Sequence, residues 1–239
     1  DWSGPTRFKI SSHGLALLDT EIVLYPVASN WAGEVVSPDS TLAISFQSGT
    51  AYYPAYVFPS SAIKSKTSYG LGIIYDIQPD IMQADTPLKL SFDIARLGLT
   101  GRKVGAYGYY YDTDKWVFID KSNGTKLEAS AFGLGKVALL EDYDPPIISA
   151  VSPLGTTRNR RPFLSCMLSD AISGLDLDGG LSMSIDGIWV PAEYDIDGGR
   201  LSYHVRNPLS YGKHQIEIKA VDNQGNMAVK TINFRVASK

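Results

Sequence analysis

Leu88-Lys89-Leu90-Ser91-Phe92-Asp93-Ile94 alternates apolar and polar residues without a break. Side chains on a strand point to opposite faces with a period of two, so this stretch buries one face and wets the other, as in an antiparallel sandwich. It predicts Leu88, Leu90, Phe92 and Ile94 in a core. On either side of it the chain breaks into short runs rich in β-branched and aromatic residues: Ile22 to Pro26, Leu42 to Gln47, Ala55 to Phe58, Gly72 to Gln78, Val104 to Asp112, Lys115 to Asp120 and Lys136 to Leu140. The turn Asp112-Thr113-Asp114-Lys115 joins two of them and predicts a hairpin. No window shows a capped helical period, and the expected class is all-β.

At Glu141-Asp142-Tyr143-Asp144-Pro145-Pro146 two adjacent prolines remove two backbone donors and hold the chain extended. The 239 residues exceed one usual domain. The junction therefore predicts two tandem antiparallel β-sandwich domains, residues 1–143 and 144–239. Beyond it come Ile147 to Val151, Phe163 to Leu168, Leu181 to Val190, Arg200 to Val205, Gln215 to Val221 and Lys230 to Val236, the strand spacing of an immunoglobulin-like or fibronectin-like sandwich. In Gln215 to Val221 the alternation turns Ile216, Ile218 and Ala220 inward and leaves Glu217 and Lys219 wet. Asp222-Asn223-Gln224-Gly225-Asn226 then supplies the turn chemistry of a last hairpin.

Composition narrows the function. With 44% hydrophobic and 20% charged residues the chain is an ordinary folded one, and a formal charge of -3 with scattered Lys and Arg offers no basic face for nucleic acid or an anionic membrane. No apolar run reaches the roughly 18 to 20 residues that span a bilayer, so no membrane insertion is expected. The start, Asp1-Trp2-Ser3-Gly4-Pro5, lacks the basic and apolar regions of a signal peptide, and an opening Asp in place of Met reads as a processed or excised piece of a longer protein. The single cysteine, Cys166, excludes an internal disulfide and leaves the compartment open.

The second half carries a set of turn motifs: Asp144-Pro145-Pro146-Ile147, Ser152-Pro153-Leu154-Gly155, Asp170-Ala171-Ile172-Ser173-Gly174, Ile185-Asp186-Gly187, Gly212-Lys213-His214 and Asp222 to Asn226. In this order they resemble the bacterial immunoglobulin-like modules that occur in tandem on secreted and surface proteins. The first half is similar, more weakly, to the β-domain that precedes such a module near the C-terminus of exported peptidases, including lysostaphin-like zinc peptidases. The resemblance implies an extracellular or cell-envelope location in bacteria and a catalytic domain elsewhere in the parent polypeptide. It transfers no activity.

Searching for chemistry finds little. His13, His204 and His214 lie far apart with no metal-binding spacing; His214 suits a bond to a turn carbonyl and His204 a sheet surface or edge. Cys166 shares a strand face with Leu164 and Leu168 and reads as a buried small hydrophobe. No Gly-x-Ser-x-Gly elbow is present, and Gly70-Leu71-Gly72 and Gly133-Leu134-Gly135 lack the helix or lysine of a phosphate loop. No cofactor is expected. Structural calcium is the candidate ion, through Asp170, Asp176, Asp178 and Asp222, with Asp186, Asp195 and Asp197 within reach of the same region in a sandwich. Asp is equally the residue of turns.

The candidate ligand-binding residues are Tyr107, Tyr109, Tyr111 and Trp116, with Tyr110 on the other strand face. A solvent-facing row of rings stacks on sugars; a buried row fills a core, and periodicity leaves both open. Tyr52, Tyr53, Tyr56 and Phe58 pose the same alternative. The expected function is a non-catalytic accessory, scaffold or adhesion module whose partners are other domains of its polypeptide, or protein or glycan at the envelope. Carbohydrate or cell-wall binding through exposed Tyr and Trp is the alternative.

Overall fold

The computed structural model describes residues 6–10, 20–80 and 82–238, and every regular element among them is a strand. His13 and the opening Asp1 to Pro5 lie outside the described residues. Two compact units divide the chain, Asp1–Asp142 and Tyr143–Lys239.

The first unit holds β1 (Thr6–Ile10), β2 (Thr20–Val27), β3 (Gly33–Val36), β4 (Leu42–Phe46), β5 (Ala55–Pro59), β6 (Ile63–Thr67), β7 (Gly70–Gln78), β8 (Gln83–Asp93), β9 (Val104–Tyr110), β10 (Lys115–Lys121), β11 (Lys126–Gly133) and β12 (Lys136–Glu141). One sheet runs β1-β2-β5-β7-β12-β9-β10 with β6 paired to β7, and the other runs β11-β8-β4-β3. Both contribute to a single core: Val57, Tyr75, Ile77 and Val104 from the larger sheet meet Leu42, Ile44, Leu90 and Phe92 from the smaller. Leu88, Leu90, Phe92 and Ile94 are all at most 1% exposed, so the unbroken alternation in β8 places them as read.

The second unit holds β13 (Ile147–Ser152), β14 (Gly155–Thr157), β15 (Phe163–Ser169), β16 (Leu181–Ile185), β17 (Ile188–Val190), β18 (Glu193–Asp195), β19 (Arg200–His204), β20 (Gly212–Val221) and β21 (Met227–Val236). Its sheets run β13-β15-β19-β18 and β14-β21-β20-β16-β17. Leu164, Cys166 and Leu168 of the first sheet and Ile216, Ile218 and Ala220 of the second line one core. The single run expected from Leu181 to Val190 is two strands. Asp186 and Gly187 both take positive φ, 52° and 80°, which is the backbone of a tight two-residue hairpin turn and cannot continue a strand.

Candidate functional site

At one end of the first sandwich two crossings and a hairpin converge. The chain passes between sheets from β7 to β8 and from β11 to β12, and the β9–β10 hairpin turns beside them. Ile77 donates its N–H to the Gly135 carbonyl at 3.1 Å and Leu134 donates to Met82 at 2.9 Å, tying the two crossings together. Between them opens a groove of about 680 Å³. Its aromatic lining is Tyr109, Tyr110, Tyr111, Phe118 and Phe132, and its polar lining includes Asp80, Gln83, Asp112 and Lys136.

Of the two alternatives left open by periodicity, Tyr107 and Trp116 take the buried one, and the four aromatic residues do not form an exposed row. Tyr107 is fully buried, on the face of β9 opposite Val104 and Ala106, with Phe118 edge-on to it and Ala138 of β12 as its register partner. Trp116 is 8% exposed, 5.0 Å from the Tyr109 ring. The strand stops at Tyr110, so Tyr111 begins the turn, and its ring meets Tyr109 at 4.9 Å and 87°, an edge-to-face contact with no shared plane. Tyr110, Tyr111 and Phe132 are the rings open to solvent, at 58%, 51% and 65%.

Tyr109 donates its phenol to the Asp114 carboxylate, and this bond holds the phenol above its usual range. Burial, then the Asp80 and Asp76 carboxylates, push Tyr111 up as well. Both phenols are therefore neutral hydrogen-bonding groups near neutral pH. The Lys136 ammonium lies 6.0 Å from the Tyr109 ring centre. Aromatic faces with a carboxylate, a carboxamide and an ammonium around them offer stacking surface beside hydrogen-bond donors and acceptors. The volume lies within the roughly 300 to 1,000 Å³ of small-molecule sites. Asp80 and Gln83 flank the β7–β8 crossing and Phe132 and Lys136 the β11–β12 crossing, and none of them gave a local signal in the sequence.

Of the four carboxylates read as calcium ligands, the structure brings Asp170 and Asp222 together and leaves Asp176 and Asp178 outside their group. Carboxylate oxygens of Asp170 and Asp222 lie within 4.8 Å of one another. Asp170, Asp176 and Asp222 each accept bonds within their own turns. Asp170 accepts from the N–H groups of Ile172 and Gly174 at 3.1 and 2.7 Å, Asp176 from Asp178 at 3.0 Å, and Asp222 from the Asn226 backbone and carboxamide at 2.7 and 2.8 Å. Asp195 accepts from Gly198 at 3.2 Å in the same way. Turn chemistry places these residues.

Cys166 is 1% exposed and burial pushes its thiol up to about 11, the state of an inert core thiol. His204 is exposed on β19. His214 is 5% exposed and bonds the Ser210 carbonyl through Nε2 at 2.9 Å. Its Nδ1 lies 2.7 Å from Asp186, whose other oxygen accepts from the Gln215 N–H at 2.8 Å.

This arrangement yields a pH prediction. Burial disfavours the charged imidazole, and the bonds to Asp186 and Ser210 outweigh it, so His214 keeps its proton to higher pH than a free histidine. A raised folded value contributes stability that is complete below the unfolded value of about 6.5 and is lost as the pH rises through the folded one. Asp186 is itself partly exposed, which limits the effect to about 1 kcal/mol. The stability of the parent chain to heat should fall relative to Asp186→Asn as the pH rises from below about 6.5 through the folded value. Parallel pH profiles for the two proteins would contradict it.

No family model and no curated protein matches this chain. Among solved structures it is similar to the crystal structure of CopC from Methylosinus trichosporium OB3b, at 16% identity and a TM-score of 0.32, over 38% of this chain and 93% of that one. At that score the likeness carries no argument about fold or function.

Proposed function

We propose that this chain is a pair of non-catalytic accessory modules from a bacterial exported or cell-surface protein, and that its first sandwich binds carbohydrate at the envelope. The observation that carries the binding reading is the aromatic groove, where Tyr110, Tyr111 and Phe132 offer open ring faces beside Asp80, Gln83 and Lys136. The accessory reading draws support from the second unit. Its strand order, β13-β15-β19-β18 against β14-β21-β20-β16-β17, matches the A-B-E-D and G-F-C sheets of immunoglobulin-like domains when lettered along the chain. Its hairpins are set by the Asp-Gly and Asp-x-x-Gly-Asn turns quoted above.

Titration of the chain with soluble cell-wall and plant polysaccharides, read by tryptophan fluorescence, tests the binding reading. Trp116 stands 5.0 Å from Tyr109 and reports on the groove. Saturable binding is expected, with Tyr111→Ala weakening it at least about tenfold, or about 1.4 kcal/mol. Flat titrations on every polysaccharide would remove carbohydrate as the ligand.

One observation favours a protein partner as a second reading. Edge strand β17 carries Ile188 and Trp189 at 71% and 66% exposure and pairs on one side only, with β16. Open edges with large apolar side chains are sites of strand addition.

A further inference from the structure

We propose that the ligand of the first sandwich is an extended, neutral oligosaccharide, bound across the end of the domain through a second subsite at Tyr52 and Tyr53. This inference rests on the carbohydrate reading of the groove.

The second subsite is a hollow of about 360 Å³ lined by Tyr52, Tyr53, Gln83, Ala84 and Asp85. Tyr52 and Tyr53 stand edge-to-face at 6.5 Å and are 70% and 39% exposed. Their base is fixed. Ala51 bridges Ala84, Asp85 donates its N–H to the Thr50 carbonyl at 3.1 Å, and the fully buried Thr50 hydroxyl bonds Thr86 at 2.9 Å.

Gln83 belongs to both hollows. It sits at the start of β8, where Gly133 of β11 pairs with it on one side and the 50–51 segment joins the next residue on the other. The backbone segments that carry the aromatic groups at 52–53 and at 132 are thus about two strand spacings apart, roughly 10 Å. That distance is wider than one pyranose ring, so a ligand touching both groups has at least two sugars. It would pass over Gln83, whose carboxamide both donates and accepts and so suits the two sides of a sugar hydroxyl.

Charge selects the kind of chain. Asp80, Asp85 and Asp112 face the two hollows against one ammonium, Lys136. Carboxylates accept hydrogen bonds from sugar hydroxyls and repel uronate or sulfate groups, so a neutral glycan is favoured over a polyanionic one.

The test is calorimetric titration of the whole chain with β-1,4-linked glucose, xylose and N-acetylglucosamine oligomers, from disaccharide to hexasaccharide. At least one neutral series should gain about tenfold in affinity with length. Tyr52→Ala, a change at a mostly exposed side chain, should erase that gain, whereas Phe132→Ala should weaken every length. Sulfated oligomers of equal length should bind more weakly. Affinity independent of length, a hexasaccharide indifferent to Tyr52→Ala, or tighter binding of the sulfated chain would overturn the extended neutral ligand while leaving the groove a carbohydrate site. No binding by any oligomer would overturn both.

Discussion

Phe92→Ala should cost the first unit about 3 to 5 kcal/mol, the range for emptying a buried aromatic site. Phe92 is fully buried on β8, the strand between β4 and β11, and its register partners on those strands are Leu42 and Leu127, both at most 1% exposed. Its ring rests on Tyr75 of the opposite sheet at 5.5 Å. The Tyr75 hydroxyl is in turn held by Thr41 at 2.8 Å, so that ring cannot swing into the vacated space without giving up a buried hydrogen bond. The cavity therefore stays open and the loss lies toward the upper end. Domains of this size have about 5 to 15 kcal/mol in total. Denaturant titration followed by hydrogen exchange should show peptides from 20–142 losing protection at lower denaturant; a change under about 1 kcal/mol would mean that Phe92 is not the centre of this core.

Gly180→Ala should destabilise the second unit by about 1 to 3 kcal/mol or more. A Cβ at Gly180 would lie 2.6 Å from the Asp176 carbonyl oxygen and 3.0 Å from the Val221 carbonyl oxygen, and both are backbone atoms. Neither can retreat cheaply. Gly180 donates to Asp176 at 3.1 Å, Val221 donates to Gly180 at 2.9 Å, and Asp176 donates to Val221 at 2.9 Å, which closes the 176–180 turn onto the end of β20. Asp176-Leu177-Asp178-Gly179-Gly180 is a turn whose last glycine lets two backbone segments touch. Thermal unfolding of Gly180→Ala beside Gly179→Ala separates this clash from the cost of positive φ, since Gly179 has φ 145° and no atom within 4 Å of its absent Cβ. A Gly180→Ala protein as stable as its parent would refute the close approach.

The regular parts of this fold were legible because burial there is one-sided. β8 and β20 alternate cleanly, and Leu88 to Ile94 and Ile216 to Ala220 sit where the alternation puts them. The strands absent from the reading, such as β6 (Ile63–Thr67) and β18 (Glu193–Asp195), carry one apolar or aromatic side chain apiece, so their sequences look like connections. They are strands because a neighbour offers them a ladder: Ile63 to Thr67 on β7, and Glu193 to Asp195 on β19.

The site was only half legible for a related reason. In β9 both faces are covered over part of the length, Val104 and Ala106 by the core and Tyr107 by its own surroundings, and a period of two cannot rank two buried faces. Tyr52, Tyr53 and Tyr111 stood out as aromatic in the sequence, but Asp80, Gln83, Phe132 and Lys136 join them only through the crossings between sheets. Convergence of that kind leaves no trace in local spacing.

The sheet switch at the start of the second unit bears on how it carries load. β13 lies in one sheet and β14 in the other, where it runs parallel to the last strand, β21, with Gly155 to Thr157 opposite Phe234 to Val236. Ala237 adds a bond to the Thr157 carbonyl at 2.9 Å. Tension drawing the two ends of this unit apart pulls β14 and β21 in opposite directions along their shared axis. The hydrogen bonds between them would then bear the force together, in shear, instead of opening one after another like a zip.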